Sequence, residues 1–203
     1  MLLESVHAGF VFPRRIRVLA GLLAPLIPEN ARVLDVGSGD GRLAGALARL
    51  RPDVAIRGID VLPRDQAAIS TEMFDGRTIP FPDSSFEAVL FIDVLHHTED
   101  PERLLREAAR TARGFILVKD HRADNAFATA TLRFMDRTGN ARHGVALPYN
   151  YWRTATWRAT FRSLGLDVDV WKPHLGLYPR PASWIFDGEL HFLARLRVGA
   201  PRK

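Results

Sequence analysis

Short apolar runs alternate along the chain with longer stretches in which apolar residues recur at helical spacing. Each short run has the length of a typical strand, about four to eight residues. The predicted strands are Arg32–Val36, Val54–Asp60, Phe86–Asp93, Phe115–Val118, Leu166–Trp171 and Leu190–Leu196. The run from Phe86 is almost continuously apolar, which is typical of a strand covered on both faces in a parallel sheet.

The helical stretches lie between these strands. They are Arg14–Leu23, Arg42–Arg51, Asp100–Gly114, Ala123–Arg137 and Thr154–Leu164. The third has a clear start, because Asp100 suits the N-cap, Pro101 the first helical position and Glu102 the acidic first turn. Gly114 is its predicted end. Strands that alternate with helices favour an α/β fold with a parallel sheet.

The composition is that of one folded domain. Of 203 residues, 47% are hydrophobic and 25% are charged, which excludes wholesale disorder. The absence of cysteine from the sequence excludes a disulfide framework, a thiolate nucleophile and a zinc–thiolate site. The best N-terminal apolar run, Val18–Ile27, is too short to span a bilayer, and the chain opens without the basic flank of a secretory signal. We therefore expect a cytoplasmic protein.

The net charge of +5 is unevenly distributed. Residues 1–120 carry 15 Lys and Arg against 17 Asp and Glu, whereas residues 121–203 carry 13 against 6. A positive C-terminal part favours an anionic partner, such as a small acid, a phosphate, nucleic acid or a membrane surface. Because 25 of the 28 cations are Arg, the excess also fits an arginine-rich composition with no such partner.

The most informative segment follows the first predicted strand. It reads Asp-Val-Gly-Ser-Gly-Asp-Gly from Asp35 to Gly41 and leads into a helix. At such a turn, backbone N–H groups and the positive end of the helix dipole face a ligand, and glycine lets the ligand approach. The dinucleotide-binding motif is disfavoured, since Arg42 stands where its third glycine belongs. The Walker motif is excluded, since no Gly-Lys-Ser/Thr follows.

With its acid two residues before three alternating glycines, Val33–Gly41 resembles the first motif of the class I S-adenosylmethionine-dependent methyltransferases, of the type 11-like small-molecule kind. Three further segments match this family in order. Gly58–Asp60 ends the second strand with an acid, Asp75–Glu87 resembles the adenine-contacting loop, and Phe91–Asp100 resembles the fourth motif. The resemblance implies a Rossmann-like, doubly wound domain with a mostly parallel seven-stranded sheet whose last strand is antiparallel.

The resemblance places the whole chain, residues 1–203, in one methyltransferase domain. Its parts would be an N-terminal helical cap (1–30), a cofactor-binding core (31–120), a lid insertion (121–152) and a last helix with a strand hairpin (153–203). The insertion is far longer than the usual connection of about 4–6 residues. In-line methyl transfer needs aligned reactants and the exclusion of water, which a lid provides.

The resemblance also implies S-adenosylmethionine as the cofactor, leaving as S-adenosylhomocysteine. The implied cofactor-binding residues are Asp35, Gly37, Gly39, Gly41, Asp60, Val61, Leu62, Asp75, Gly76 and Asp93. The glycines would line the methionine part, Asp60 would accept from the ribose hydroxyls and Asp75 from the adenine amino group. Asp75 also fits an ordinary Asp-Gly turn, and Asp93 also fits a structural role.

Candidate acceptor-site residues lie in the segment before the core, after the strands that end near Asp93 and Val118, and in the predicted lid. The candidate substrate contacts are Phe10, Tyr149, Tyr151 and Trp152, and the candidate bases are His96, His97, His121 and His143. Histidine titrates in the range that suits a base for an oxygen or nitrogen acceptor. The aromatic residues before the last helix either wall an acceptor pocket or fix that helix to the core. His96 and His97 also fit a role in holding a loop by hydrogen bonds.

No metal is assigned from the sequence. Asp93 together with Asp120 and His121 resembles the metal-dependent catechol-type methyltransferases, which place acids at these two strand ends. However, Ile92 occupies the position of their first acid, and His121 replaces an asparagine.

Two alternative functions stay open at this point. A nucleic-acid substrate suits the positive C-terminal part, but the Asn/Asp-Pro-Pro-aromatic motif of amino-base methylases is replaced by Ile92–Leu95. Cytosine C5 methylation needs a cysteine, and the ribose 2′-O enzymes need a lysine before the first motif, where this chain has none. A non-catalytic cofactor-binding subunit is the second alternative.

We expect a small-molecule acceptor, weakly favoured to be acidic, methylated at oxygen, nitrogen or carbon. The sequence does not specify an oligomeric state.

Overall fold

The structure, a computed structural model, describes residues 11–62, 67–140 and 149–199. Within these residues, seven strands form one sheet. They are β1 (Arg32–Val36), β2 (Ala55–Asp60), β3 (Thr71–Met73), β4 (Phe86–Ile92), β5 (Ala112–His121), β6 (Leu166–Lys172) and β7 (His191–Val198). Their order across the sheet is β3-β2-β1-β4-β5-β7-β6. β7 runs antiparallel to both of its neighbours, and every other neighbouring pair is parallel.

This topology confirms the predicted α/β sheet with an antiparallel last strand. The chain adds β2 and β3 on one side of β1 and then crosses to β4 on the other side. In doubly wound sheets, ligands bind at the carboxyl ends of the strands where the strand order reverses in this way. The crevice between the ends of β1 and β4 is therefore the expected place for a site.

The described helices connect the strands. They are α1 (Phe12–Leu23), α2 (Arg42–Leu50), α3 (Pro101–Thr111), α4 (Ala126–Asn140), α5 (Thr154–Ser163) and α6 (Ser183–Phe186), with 3-10 turns at Ala24–Leu26 and Leu95–His97. Helix α3 starts as predicted, since the Asp100 side chain accepts from the Arg103 N–H at 2.9 Å. Its predicted end at Gly114 is wrong. Gly114 lies inside β5, where a Cβ would stand 3.0 Å from the carbonyl oxygen of Glu87 on β4.

Apolar side chains cover both faces of the sheet. On one face, Phe91 packs with Phe161 of α5 in a cluster that also includes α3. On the other face, Leu90 packs with Leu23 of α1 and Leu47 of α2. Burying each such side chain stabilises the fold by about 1.5–3 kcal/mol. Because helices occupy both faces, the carboxyl edge of the sheet is left to form a site.

Part of the predicted lid lies in the described residues. Helix α4 begins at Ala126 instead of the predicted Ala123, because the Asn125 side chain accepts from the Ala128 N–H at 2.8 Å. Residues 141–148 lie outside the described part of the chain. The division into cap, core, lid and hairpin stays a prediction. In the described residues, no helix combines the length and the apolar character that crossing a membrane requires.

Candidate cofactor and acceptor site

The glycine-rich loop joins the end of β1 to the start of α2. Gly37, Gly39 and Gly41 all have left-handed φ angles, of 73°, 57° and 69°. The Gly37 N–H donates to the carbonyl oxygen of Ile59 at 2.7 Å, which holds the loop against β2. A Cβ on Gly37 would stand 2.5 Å from Cγ2 of Val94. Backbone conformation and close packing therefore both require glycine at this position.

Gly39 lies at the tip of this loop, beside the carboxylate that ends β2. Its N–H donates to Oδ2 of Asp60 at 2.8 Å, and the Leu62 N–H donates to Oδ1 of Asp60 at 2.9 Å. A carboxylate has about four acceptor directions, so Asp60 can accept further hydrogen bonds. Among the described residues, nothing lies within 4 Å of the place that a Cβ on Gly39 would take. Half-buried Asp60 thus borders open space above a bare loop.

Asp35 is a buried carboxyl below the same loop. It is 4% exposed, although it is ionisable. Burial raises the pKa of Asp35 to about 7, and the charge of nearby Asp60 adds to this rise. The usual pKa of an aspartic acid is near 3.8, so it is the environment of Asp35 that makes this side chain titrate near neutral pH. A positively charged ligand group close to Asp35 would favour its ionised form.

The segment after β2 meets the segment after β3 at the edge of the loop. Val61 and Leu62 are about half exposed, at 49% and 52%. Gly76 has a φ of 73°, and a Cβ on it would stand 3.0 Å from Cγ1 of Val61. Asp75 Oδ1 accepts from the backbone N–H groups two and three residues later, both at 2.7 Å, and these hydrogen bonds lower its pKa. The apolar side chains and the Asp75 turn therefore form one surface next to Asp60.

Asp93 follows β4 directly and pairs with two cations, the buried Lys119 and the half-buried Arg15. It has a left-handed φ of 59°. Its carboxylate contacts Nζ of Lys119, which is fully buried in β5, and an Arg15 guanidinium nitrogen of α1 lies 3.1 Å away. Burial raises the pKa of Asp93, but the charges of Lys119 and Arg15 outweigh burial and hold this pKa well below its usual value. Asp93 is therefore ionised and neutralised by its neighbours.

Asp120 organises the residues next to it. Its Oδ1 lies 2.6 Å from Nδ1 of His96 and accepts from the His121 N–H at 2.7 Å, while its Oδ2 accepts from the Leu95 N–H at 3.0 Å. Burial lowers the pKa of His96, but the charge and hydrogen bond of Asp120 outweigh burial and raise it. Nε2 of His96 lies 3.5 Å from Oδ2 of Asp136 on α4. His96 is thus placed between two carboxylates.

His121 and His191 face each other across the β5–β7 pair. Their Nδ1 atoms lie 3.0 Å apart, and Lys119 Nζ lies 3.4 Å from Nδ1 of His191. Nε2 of His191 lies 2.9 Å from the carbonyl oxygen of Phe186. Burial comes first among the causes that lower the pKa of both imidazoles well below the usual value, and neighbouring positive groups add to it. Both histidines are therefore neutral near pH 7.

The aromatic residues before α5 divide between this cluster and the core. Tyr151 stacks on His96 with ring centroids 5.7 Å apart. Trp152 packs on Trp157 of α5 at 4.7 Å, so its ring helps to fix that helix. Tyr149 is half-buried, with a centroid distance of 6.2 Å to Tyr151. Of the three rings, Tyr151 makes the closest approach to the candidate histidines.

The comparison with protein families adds independent evidence. Residues 9–170 match the model of a family described as a methyltransferase domain. The chain belongs to this methyltransferase family. The match covers the glycine-rich loop, Asp60, Asp93 and the histidines that follow β4 and β5, so the family match and the clustered side chains fall in the same part of the chain.

Relatives of this methyltransferase domain act on different atoms. The chain is 33% identical over 131 residues to 27-O-demethylrifamycin SV methyltransferase of Amycolatopsis mediterranei, covering 54% of this chain and 48% of the relative. It is 26% identical over 139 residues to ajmaline N-methyltransferase of Rauvolfia serpentina, covering 54% and 47%. The chain therefore spans about half the length of the curated relatives it matches.

A solved structure supports the fold of the methyltransferase domain. A SAM-dependent methyltransferase from Aquifex aeolicus superposes with a TM-score of 0.64 and 15% identity, over 92% of this chain and 94% of that one. At this identity the likeness concerns the fold alone.

The structure brings most of the predicted site residues of this methyltransferase domain into two neighbouring groups. The cofactor group lies at the ends of β1, β2 and β3 and comprises Asp35, Gly37, Gly39, Gly41, Asp60, Val61, Leu62, Asp75 and Gly76. The second group lies at the ends of β4 and β5 and comprises Asp93, His96, His97, His121 and Tyr151. Phe10 and His143 lie outside the described residues. The roles assigned to these residues stay predictions.

Sequence reasoning missed four residues that contact the second group. They are Arg15, Lys119, Asp136 and His191. Lys119 could have been found from the sequence, since a charged residue inside an apolar strand needs a buried partner. The contact of His191 with His121 could not, because it depends on antiparallel pairing between distant segments.

Proposed function

We propose that this chain is an S-adenosylmethionine-dependent methyltransferase acting on a small-molecule acceptor. The observation that carries the proposal is the bare, left-handed Gly39 beside the Asp60 carboxylate at the switch point of the sheet. Membership of a methyltransferase family supports it. The relatives' names include an O- and an N-methyltransferase of small molecules, so the acceptor atom is left as oxygen, nitrogen or carbon.

The residues present fit the cofactor. No described residue fills the space over Gly39, which leaves room for a ligand against the loop backbone, and Asp60 keeps acceptor capacity for ribose hydroxyls. Exposed Val61 and Leu62 offer an apolar surface for adenine next to the Asp75 turn. When bound, S-adenosylmethionine supplies the methyl group on a positively charged sulfur. The buried carboxyl of Asp35 would balance positive charge on the methionine part.

The acceptor is proposed to lie at the ends of β4 and β5. His96, His97 and His121 are candidate bases there, and Tyr151 is the candidate acceptor contact closest to them. The inner wall holds two cations, Lys119 and Arg15, against the single carboxylate of Asp93. These three side chains therefore leave an excess positive charge, which favours an acidic acceptor.

Asp60→Ala is expected to weaken S-adenosylmethionine binding by about 1–3 kcal/mol, since ribose hydroxyls would lose their acceptor. Isothermal titration calorimetry measures the change, with circular dichroism to verify folding. Asp167→Ala, which removes an exposed carboxylate from β6, is the matched control and is expected to bind as the parent chain does. Unaltered affinity in Asp60→Ala would remove the central assignment.

Cofactor binding near pH 7 is expected to release protons from Asp35. Its pKa is about 7 in the free protein, and the positive charges of the cofactor lower the pKa of a nearby acid. Because the bound state then holds fewer protons, affinity rises between about pH 6 and about pH 8. Calorimetry in two buffers of different ionisation enthalpy measures the release. Asp35→Asn should abolish it, and proton uptake by the parent chain would contradict the assignment.

A further inference from the structure

Two imidazoles and one carboxylate converge from three elements beside the proposed acceptor position. His96 comes from the 3-10 turn after β4, His121 from the end of β5 and Asp136 from α4. All three are buried, and one ligand atom of each lies within 4.8 Å of the others. Nitrogen and carboxylate donors in this combination suit divalent first-row transition ions.

The hydrogen bonds of His96 determine which nitrogen is free. Asp120 accepts from the backbone N–H groups of Leu95 and His121, so it acts as an acceptor throughout. Nδ1 of His96, 2.6 Å from Asp120, therefore carries a hydrogen, and Asp120 fixes the ring. Nε2 is buried and has no hydrogen-bond partner among the described residues. It points toward Asp136 and not toward solvent.

The tautomer of His121 follows from its neighbours in the same way. The carbonyl oxygen of Phe186 can only accept, so Nε2 of His191 carries a hydrogen. Nδ1 of His191 faces the Lys119 ammonium group at 3.4 Å and therefore accepts. His121 Nδ1, 3.0 Å away, must donate to it. This leaves Nε2 of His121 with a free lone pair, 3.6 Å from a carboxylate oxygen of Asp93.

We propose that His96, His121 and Asp136 bind one divalent transition-metal ion, with Zn²⁺ as the ion that the donor set suits. Two ligands of a tetrahedral zinc ion lie roughly 3.4 Å apart when each bond is about 2.0–2.1 Å. The 3.5 Å between His96 Nε2 and Asp136 Oδ2 matches that separation. It is longer than a charge-assisted hydrogen bond of about 2.7–2.9 Å, so a shared proton fits the geometry less well.

Neighbouring side chains hold the three proposed ligands by hydrogen bonds, as is usual around a bound metal ion. A metal-binding histidine usually donates its other ring N–H to a carboxylate, as His96 does to Asp120. The Tyr151 hydroxyl donates to Asp136, and His191 accepts from His121. Three protein ligands leave a further coordination position, which is the arrangement of catalytic and not of closed structural zinc sites. The ion-binding site rests on these side chains and does not depend on the cofactor.

The test is metal binding by the intact protein without cofactor or acceptor. Chelator-treated protein is titrated with Zn²⁺ by calorimetry and with Co²⁺ by visible absorption. We expect one ion per chain and the absorption bands of a four- or five-coordinate Co²⁺ site. Failure to bind either ion stoichiometrically would overturn the proposal. It would leave the proposed methyl transfer untouched, since that is tested by cofactor affinity.

Variants assign the binding to this cluster. His121→Ala and Asp136→Asn are expected to lower Zn²⁺ affinity about 100-fold or more, and Asp120→Asn about 10–100-fold by freeing the His96 ring. His174→Ala removes an exposed histidine and should leave affinity unchanged. Circular dichroism checks folding, and Asp136→Asn keeps a partner for Tyr151. An equal loss in His174→Ala, or imidazole NMR signals showing His96 doubly protonated after Zn²⁺ addition, would contradict the proposal.

Discussion

Asp93→Ala is expected to lower the free energy of unfolding by about 3–5 kcal/mol, the usual cost of leaving a buried charge without its partner. Lys119 is fully buried in β5, and its ammonium group contacts the Asp93 carboxylate. Arg15 loses the same partner, at 3.1 Å. Because Lys119 is fully buried, the variant must either keep an ammonium group without its carboxylate partner or deprotonate it.

A second substitution tests that cause. Asp93→Ala combined with Lys119→Met removes both members of the pair, and replacing a buried pair with apolar groups is often close to neutral. The double variant is therefore expected to be more stable than Asp93→Ala alone. Urea unfolding followed by circular dichroism measures both. If the two variants unfold at the same urea concentration, the Lys119 charge is not the reason for the loss.

Two glycines of the loop are expected to respond differently to the same substitution. Gly37→Ala should destabilise the fold by about 2–5 kcal/mol, since it adds left-handed strain to overpacking against Val94. The β-branched Val94 side chain is stiff and cannot turn both methyl groups away. Gly39→Ala carries left-handed strain alone, about 1–2 kcal/mol, because its Cβ would meet no described residue within 4 Å.

Gly39→Ala should also lower the affinity for the cofactor. The added methyl of Gly39→Ala would occupy space proposed for the cofactor and weaken binding by about 1–3 kcal/mol, the cost of overpacking. Denaturation and calorimetry on both variants separate folding from binding. Full cofactor affinity in Gly39→Ala would show that the ligand does not lie against the loop. Parent-like stability in Gly37→Ala would contradict the packing with Val94.

Local patterns predicted most of the sheet, because a strand buried on both faces must be apolar. Phe86–Ile92 is the clearest case, and its observed end lies one residue before the predicted one. Thr71–Met73 escaped prediction as a strand since it is short, polar and largely exposed. Its extended form comes from pairing with β2, which places Thr71 opposite Gly58. Such a strand has no signal of its own in the sequence.

The cofactor group could be predicted from local sequence, whereas most contacts of the second group could not. The glycine loop and Asp60 lie within 26 residues of one another, from Asp35 to Asp60, and their spacing carried the resemblance. The second group depends on contacts over long separations. His191 lies 70 residues beyond His121, and only the antiparallel register of β5 and β7 brings the two together.

The position of β7 between β5 and β6 has a consequence for synthesis of the protein. β7 follows β6 in the chain, yet among the described strands β6 borders the sheet only through β7. A nascent chain that stops before His191 can pair β1 to β5 but leaves the outer edge of β5 open and β6 without a neighbour. Until β7 is made, Lys119 and His121 would lie in a strand with one unpaired edge. Within the described residues, the outer edge of β5 therefore stays unpaired until residues 191–198 have been made, and an unpaired strand edge is a site of aggregation.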